Sequence, residues 1–317
     1  MSGMTVFAMT EHMPRSDEDL YPEELEAKDS AQTLEKRFDD YIAEATKLRD
    51  TYYANSDALP HSDMATTEIT PSHSQITNQE SGQPKMEVLI GVETEFIHPT
   101  SITILSSLLE RHSSHIDFLL GSVHHVHNVP IDFDRATYLS ARAACSPATD
   151  AQLFGDYFDA QYRMLQVLKP QVVGHFDLIR LLSDEPDADW KTRVSEDSQG
   201  NSIWAQIQRN LDVVKSYGGL LEVNTSAWRK GLSDPYPRRE IVQMWRSMGG
   251  DVVLSDDSHS TAQVATNYHR LKAFLKECGV TRVAFLRRRN EDPASRLVIG
   301  EDGGRCLVGY VDVDSLW

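Results

Sequence analysis

Six short apolar runs in this chain each stop at a side chain able to hold a metal, and few folds can use such a pattern. They are Val6–His12, Val88–Glu93, Phe118–His124, Val172–His175, Leu220–Asn224 and Val252–His259. Runs of this length, rich in β-branched residues and separated by helical stretches, read as parallel strands of an α/β fold. In a closed α/β barrel the chemistry sits where the strands end, at the carboxyl rim. Histidines, glutamates and aspartates far apart in sequence then meet in one ring. The expectation is a metal site assembled from strand ends, and with it a metal-dependent hydrolase.

The 317 residues allow one large barrel or two smaller domains. No stretch approaches the roughly 18 apolar residues that span a bilayer, so no membrane partner is expected. The N-terminus lacks the basic start and apolar core of a secretory signal, and the expected location is cytoplasmic. Cys145, Cys278 and Cys306 are scattered without C-x-x-C spacing, which fits a reducing compartment and argues against disulfides or a thiolate zinc site. Net charge is −17, from 31 basic and 48 acidic residues. That disfavours nucleic acid, whose binding needs basic patches. A small phosphorylated substrate stays open, because bound divalent cations would reverse the local sign.

Helical spacing covers residues about 34–53, with Leu34, Phe38, Tyr41, Ile42 and Ala45 on one face. Further helical patterns at about 101–113, 151–167, 201–217, 236–248 and 261–278 separate the strands, with Ser101 and Ser260 as caps for the first and last of these. Residues about 54–85 are polar, rich in Ser, Thr, Gln and Pro, and read as a disordered insertion in a crossover loop. Val283–Leu286 is a late apolar segment, and the tail from about 290 reads as a short strand or surface covering. One domain spanning 1–317 is the economical reading.

Asp257-Ser258-His259 is the strongest local signal, since D-x-H at a strand end sets two ligands on one side of an extended backbone. His124 and His175 follow apolar runs in the same way. Glu95 competes with Glu93, because alternation puts both on one face; Glu93 is preferred as nearer the strand end. Glu222 reads as a buried orienting group behind Asn224. His112, His115 and His269 fall on helical surfaces, and alternation turns His125 to the face opposite His124. His61 and His73 have no periodic context.

Thr10-Glu11-His12, Gly91-Val92-Glu93, Gly121-Ser122-Val123-His124, Gly174-His175-Phe176-Asp177-Leu178-Ile179-Arg180, Glu222-Val223-Asn224-Thr225-Ser226 and Ser255-Asp256-Asp257-Ser258-His259 together resemble the polymerase and histidinol phosphatase (PHP) family, in its phosphatase branch. The resemblance covers nearly the whole chain outside the insertion. It implies a distorted (β/α)7 TIM-like barrel with two or three divalent metal ions, of zinc, iron or manganese. It assigns His12, Glu93, His124, His175, Asp257 and His259 as metal ligands, with Glu93 bridging. Arg15, Arg180 and Arg229 become candidates to hold a phosphate, and His259 or Asp257 to move a proton. The implied reaction is hydrolysis of L-histidinol phosphate; the alternatives are a phosphoesterase for another small phosphate, or an inactive relative with a scaffold role.

The family begins with a strand ending in His-x-His, and no such pair precedes Thr10-Glu11-His12 in this sequence. The expectation is a barrel lacking its first strand, as from a truncated gene model, with metal binding and turnover low until an upstream strand ending in His-x-His is restored. Metal content and turnover of the two forms, compared side by side, check this. Replacing residues about 56–83 by a short Gly/Ser link should leave activity and melting temperature nearly unchanged, since loop-closure entropy varies slowly with length. Loss of folding on that deletion would show the segment to be ordered.

Overall fold

The computed structural model describes Met4 and residues 6–54, 86–190, 202–288 and 306–316. Apart from Ala54, the insertion expected at about 54–85 lies outside the described residues, with His61 and His73. The strands are β1 (Val6–His12), β2 (Glu87–Glu95), β3 (Phe118–Ser122), β4 (His125–Val126), β5 (Val129–Pro130), β6 (Val172–Val173), β7 (Leu220–Asn224), β8 (Val252–Ser255), β9 (Arg282–Arg288) and β10 (Cys306–Asp312). The helices are α1 (Pro22–Glu26), α2 (Ala31–Ala54), α3 (Thr100–His112), α4 (Arg135–Ala143), α5 (Asp150–Leu168), α6 (Ile203–Ser216), α7 (Ser226–Arg229), α8 (Arg239–Ser247) and α9 (Tyr268–Glu277).

Six strands form one parallel sheet in the order β1-β2-β3-β6-β7-β8. All six expected runs are in it. A flat sheet of that size would hold its edge strands about 24 Å apart. Here His12 at the end of one edge, and Asp257 and His259 beyond the end of the other, line a single cavity of about 480 Å³. The sheet is therefore curled into a half-barrel, as a distorted TIM-like barrel requires.

Alternation along the strands sorts side chains between two cores. Ile90, Val92, Leu119, Val173, Leu221, Val223 and Val252 face outward into the layer of helices. Leu89, Phe118, Leu120, Val172 and Leu220 face the concave side, where Ala284 and Leu286 of β9 fill the hollow. The antiparallel β9–β10 hairpin lies across the amino-terminal ends of the sheet strands. Arg287 and Arg288 reach Glu87 at the start of β2, Arg288 also pairs with Asp117 just before β3, and Arg282 pairs with Asp251 just before β8. That end of the half-barrel is plugged, which leaves the carboxyl rim for chemistry.

The helices follow their apolar faces and caps. In α5, Leu153, Phe154, Tyr157, Phe158, Gln161, Met164 and Leu165 recur at helical spacing and are buried. The Thr149 hydroxyl accepts from the Gln152 N–H at its start. Ser202 and Asp134 cap α6 and α4 in the same way; α4 was not foreseen, being too short for a clear period.

Two expected caps differ. Ser101 lies inside α3, where its hydroxyl accepts from the N–H groups of Ile97 and His98. The last helix begins only at Tyr268, because Ala265 and Asn267 hold positive φ and residues 261–267 form turns, so Ser260 caps nothing.

Phe158 packs against Phe176 and Trp190, with ring centroids 5.8 and 5.7 Å away, and is fully buried. Phe158→Ala should cost roughly 3–5 kcal/mol, read as a drop in the urea midpoint. A loss under about 1 kcal/mol would mean that the layer between α5 and the sheet can collapse around the gap.

Candidate metal centre

The cluster begins with the strand period. Glu93 and Glu95 lie two residues apart on β2, so both project to the concave side, and both are buried. In the parallel register His12 on β1 pairs with Glu93. Its Nδ1 lies 2.7 Å from Glu95 Oε1 and its Nε2 lies 3.7 Å from Glu93 Oε2. His124 follows β3 and touches both carboxylates, Nδ1 at 3.1 Å from Glu95 Oε2 and Nε2 at 3.3 Å from Glu93 Oε1. His175 follows β6, with Nε2 at 2.9 Å from Glu93 Oε1 and 3.2 Å from His124 Nε2.

Gly174 lets this end of β6 come close to β3. A Cβ there would sit 2.8 Å from Ser122 Oγ and 3.2 Å from Leu120. The next residue is then held from behind: the His175 N–H donates to Glu222 Oε2 at 2.5 Å, and Asn224 donates to the same oxygen at 3.2 Å. Burial raises the Glu222 carboxyl, only partly offset by His175. The orienting role expected for Glu222 is what the backbone bond provides.

The donor set fits divalent cations. Donor atoms lie within 4.8 Å of one another in two triads, His12–Glu95–His124 and Glu93–His124–His175, which share His124. Hard carboxylate oxygen mixed with borderline imidazole nitrogen suits zinc, iron or manganese and does not choose among them. The electrostatics also call for positive charge. Burial by itself would raise both carboxyls, but the imidazoles hold Glu93 and Glu95 well below the usual carboxylate range. Burial pulls His124 down, and the two carboxylates more than reverse it, so its ring is well above the ordinary imidazole value. Without metal, protons take the place that cations would fill.

Of the six expected ligands, His12, Glu93, His124 and His175 converge. Asp257 and His259 line the same cavity but are in neither triad. Asp257 holds a positive φ of 49°, and the Asp256 and Asp257 carbonyls accept from Arg229 at 3.0 and 2.9 Å. His259 is exposed, its Nδ1 3.0 Å from the Asp257 carbonyl oxygen. Glu95, ranked behind Glu93, joins it: the alternation that made them rivals puts both in the cluster. His125 does not turn away, because β3 ends at Ser122 and alternation stops there. Its buried ring lies 5.1 Å from that of Tyr21, with Nδ1 3.9 Å from Glu95.

The arginine assignments need correction. Arg180 is fully buried and outside the cavity lining. Its five N–H groups meet Asp177 Oδ2, the Pro186 carbonyl, Asp187 Oδ1 and the carbonyls of Asp234 and Pro235 at 2.8–3.3 Å. It pins loops together and has no donor left for a phosphate. Arg229 is half-buried and outside the cavity lining, and two of its N–H groups hold the 256–257 turn. Arg15 does line the cavity, paired with Glu95 at 3.0 Å and with Glu24. Sequence reasoning missed two cations of the cavity wall: Arg37, paired with Asp29 at 3.0 Å, and Lys230, next to Arg229. A lysine in a helical turn gives no spacing signal of its own.

Burial lowers the His12 imidazole, yet Glu93 and Glu95 hold it at about 9 in the metal-free chain, above its ordinary 6.5. A raised value means that protonated His12 stabilises the fold fully below pH 6.5, and that this is lost as pH rises through about 9. Metal-stripped protein should lose thermal stability across that window, and His12→Gln should flatten the slope. An unaltered pH profile in the variant would remove His12 from this charge balance.

A PHP domain matches residues 1–226. Over 316 residues the chain is 37% identical to the "Probable histidinol-phosphatase" of Schizosaccharomyces pombe, covering 99% of this chain and 86% of that protein. It is 30% identical to the histidinol-phosphatase of Saccharomyces cerevisiae over 288 residues, 85% of this chain and 78% of that one. Among solved structures, a Listeria monocytogenes protein described as a "putative histidinol phosphatase" aligns with a TM-score of 0.56 at 17% identity, covering 84% of this chain and 89% of that one. That likeness is one of fold. The strand-end cluster, the half-barrel and the match across most of the sequence agree: the chain belongs to the PHP domain family.

Proposed function

We propose that this chain hydrolyses L-histidinol phosphate to L-histidinol and inorganic phosphate, as a cytoplasmic, metal-dependent step of histidine biosynthesis. The observation that carries the reading is the cluster of two buried carboxylates and three imidazoles, of which His12, Glu93, His124 and His175 line a cavity. The two fungal relatives matched along most of the chain carry the name of this activity.

His12, Glu93, Glu95, His124 and His175 would hold divalent ions, with Asp257 and His259 of the same cavity as further ligands, and the number would be two or three. Bound there, such ions lower the pKa of a water and offset the charge that develops on the phosphate. Arg15 and Lys230 bring positive charge to the same space and would orient the phosphoryl oxygens. Tyr21 lies under the Arg15 guanidinium, 4.5 Å from ring centroid to Cζ, and limits its movement. The His259 Nδ1–H would donate to the Asp257 carbonyl, and Nε2, once it has taken a proton from solvent, would pass that proton to the departing alkoxide. Glu11, Glu23 and Asp132 also line the cavity, and an acidic wall suits an amino alcohol that carries a cationic ammonium.

Phosphate release from L-histidinol phosphate should exceed that from simple alkyl phosphates and vanish on chelation, both in the chain as given and in a form extended by an upstream strand. Equal turnover of all monoesters would leave a general phosphoesterase. Asp257→Asn keeps the side-chain shape while removing a negative ligand, and should lower turnover by roughly 100-fold or more along with metal content. Unchanged metal content and turnover would take Asp257 out of the centre. Lys230→Ala should raise KM for the phosphate ester more than it lowers kcat; an unchanged KM would leave phosphate binding to Arg15.

A further inference from the structure

A second group of metal-capable donors lies away from the cavity, on the outer side of the half-barrel. His127 sits in the turn between β4 and β5, Cys145 lies just past the end of α4, and Asp156 is on α5. His127 Nε2 is 2.7 Å from Asp156 Oδ2, and the Cys145 sulfur lies within 4.8 Å of both donor atoms. None of the three lines the main cavity. Gln152 donates to the other Asp156 oxygen at 2.8 Å, which fixes the carboxylate with Oδ2 turned to the histidine. Cys145 is buried at 7% exposure and His127 is exposed, so the group is closed on one side and open to solvent on the other.

We infer that Cys145, His127 and Asp156 form a separate binding site for a thiophilic divalent cation such as zinc, with one coordination position left to water. Tetrahedral zinc with these ligands needs donor atoms about 3.3–3.6 Å apart, from bonds of about 2.0–2.3 Å. The His127–Asp156 pair would open slightly and the sulfur would move in, changes within reach of side-chain rotation.

The rival reading is an activated thiol, and the geometry opposes it. A nucleophilic cysteine needs a cation or an imidazole beside its sulfur. The nearby His127 imidazole is engaged by Asp156 at 2.7 Å, and burial, with the Asp156 carboxylate beside the sulfur, pushes the thiol up to about 12. Only a bound cation would make thiolate the stable form.

Sequence spacing argued against a thiolate zinc site because the three cysteines are scattered without C-x-x-C spacing. The fold brings one of them together with His127 and Asp156. The site would tie the β4–β5 turn to α5, three residues beyond His124, and so steady the strand end that carries a ligand of the main centre.

Cobalt(II) is the probe that tests this, since thiolate ligation gives an intense sulfur-to-metal charge-transfer band that imidazole and carboxylate ligands do not. The main cluster contains no cysteine among the described residues, so its loading is silent in that band. Titration of metal-stripped protein with cobalt should produce the band, and zinc should abolish it by displacement. Cys145→Ser should remove it, and His127→Ala and Asp156→Asn should weaken or remove it. No band in the parent protein, or a band that survives Cys145→Ser, would overturn the site. Should Cys145→Ser fail to fold, the exposed His127→Ala decides alone: a band unchanged in position and cobalt affinity overturns the assignment.

Discussion

Two carboxylates on one strand, Glu93 and Glu95, are held out of water, and the carboxyl rim is arranged around that cost. A buried charge without a partner is destabilising, and a buried pair of like charges more so. Three imidazoles from three other strand ends offset it, and they can reach the carboxylates only because the sheet curls. His175 comes from a strand two places from β2, yet its Nε2 lies 2.9 Å from Glu93. The same compensation makes the site a receptor for cations, because the charge that protons supply in the metal-free state is the charge that divalent ions supply better.

Behind this centre the polar residues act as architecture. Asp177 is fully buried, and burial raises its carboxyl despite bonds from Arg180 at 3.0 Å and the Arg238 N–H at 3.1 Å. Through Arg180 it ties the turn after His175 to the 186–187 and 234–235 segments. Arg229 does the same for the turn that carries Asp257. These guanidiniums fix where ligands stand, and the cations that line the cavity are Arg15, Arg37 and Lys230.

The opposite end of the half-barrel is closed by apolar packing and ion pairs. The β9–β10 hairpin puts Leu286 and Ala284 into the concave core, and its arginines meet acids at the starts of β2, β3 and β8. An open curled sheet would otherwise expose the apolar residues Leu89, Leu120 and Leu220 at its base. With that end filled, the polar cavity opens at the rim where the ligands converge.

The sequence by itself determined the strands and their ends, because a period of two and a stop at a ligand survive any tertiary arrangement. Val6–His12 and Leu220–Asn224 match their apolar runs, Phe118–Ser122 stops two residues short of its own, and the convergence of His12, Glu93, His124 and His175 follows from parallel strands ending on one rim. Tertiary structure decided everything that depends on direction and on competition for partners. Arg180 has the position of a phosphate ligand in the sequence, but five protein acceptors surround it, while its unremarked counterpart Lys230 faces the cavity. Glu95 changed from rival to member because curvature makes room for both carboxylates. The Cys145–His127–Asp156 group had no pattern to read, since its three donors come from a turn, a helix end and a helix face. Local periodicity encodes which side of an element a residue occupies; only the packed chain settles what else is there to meet it.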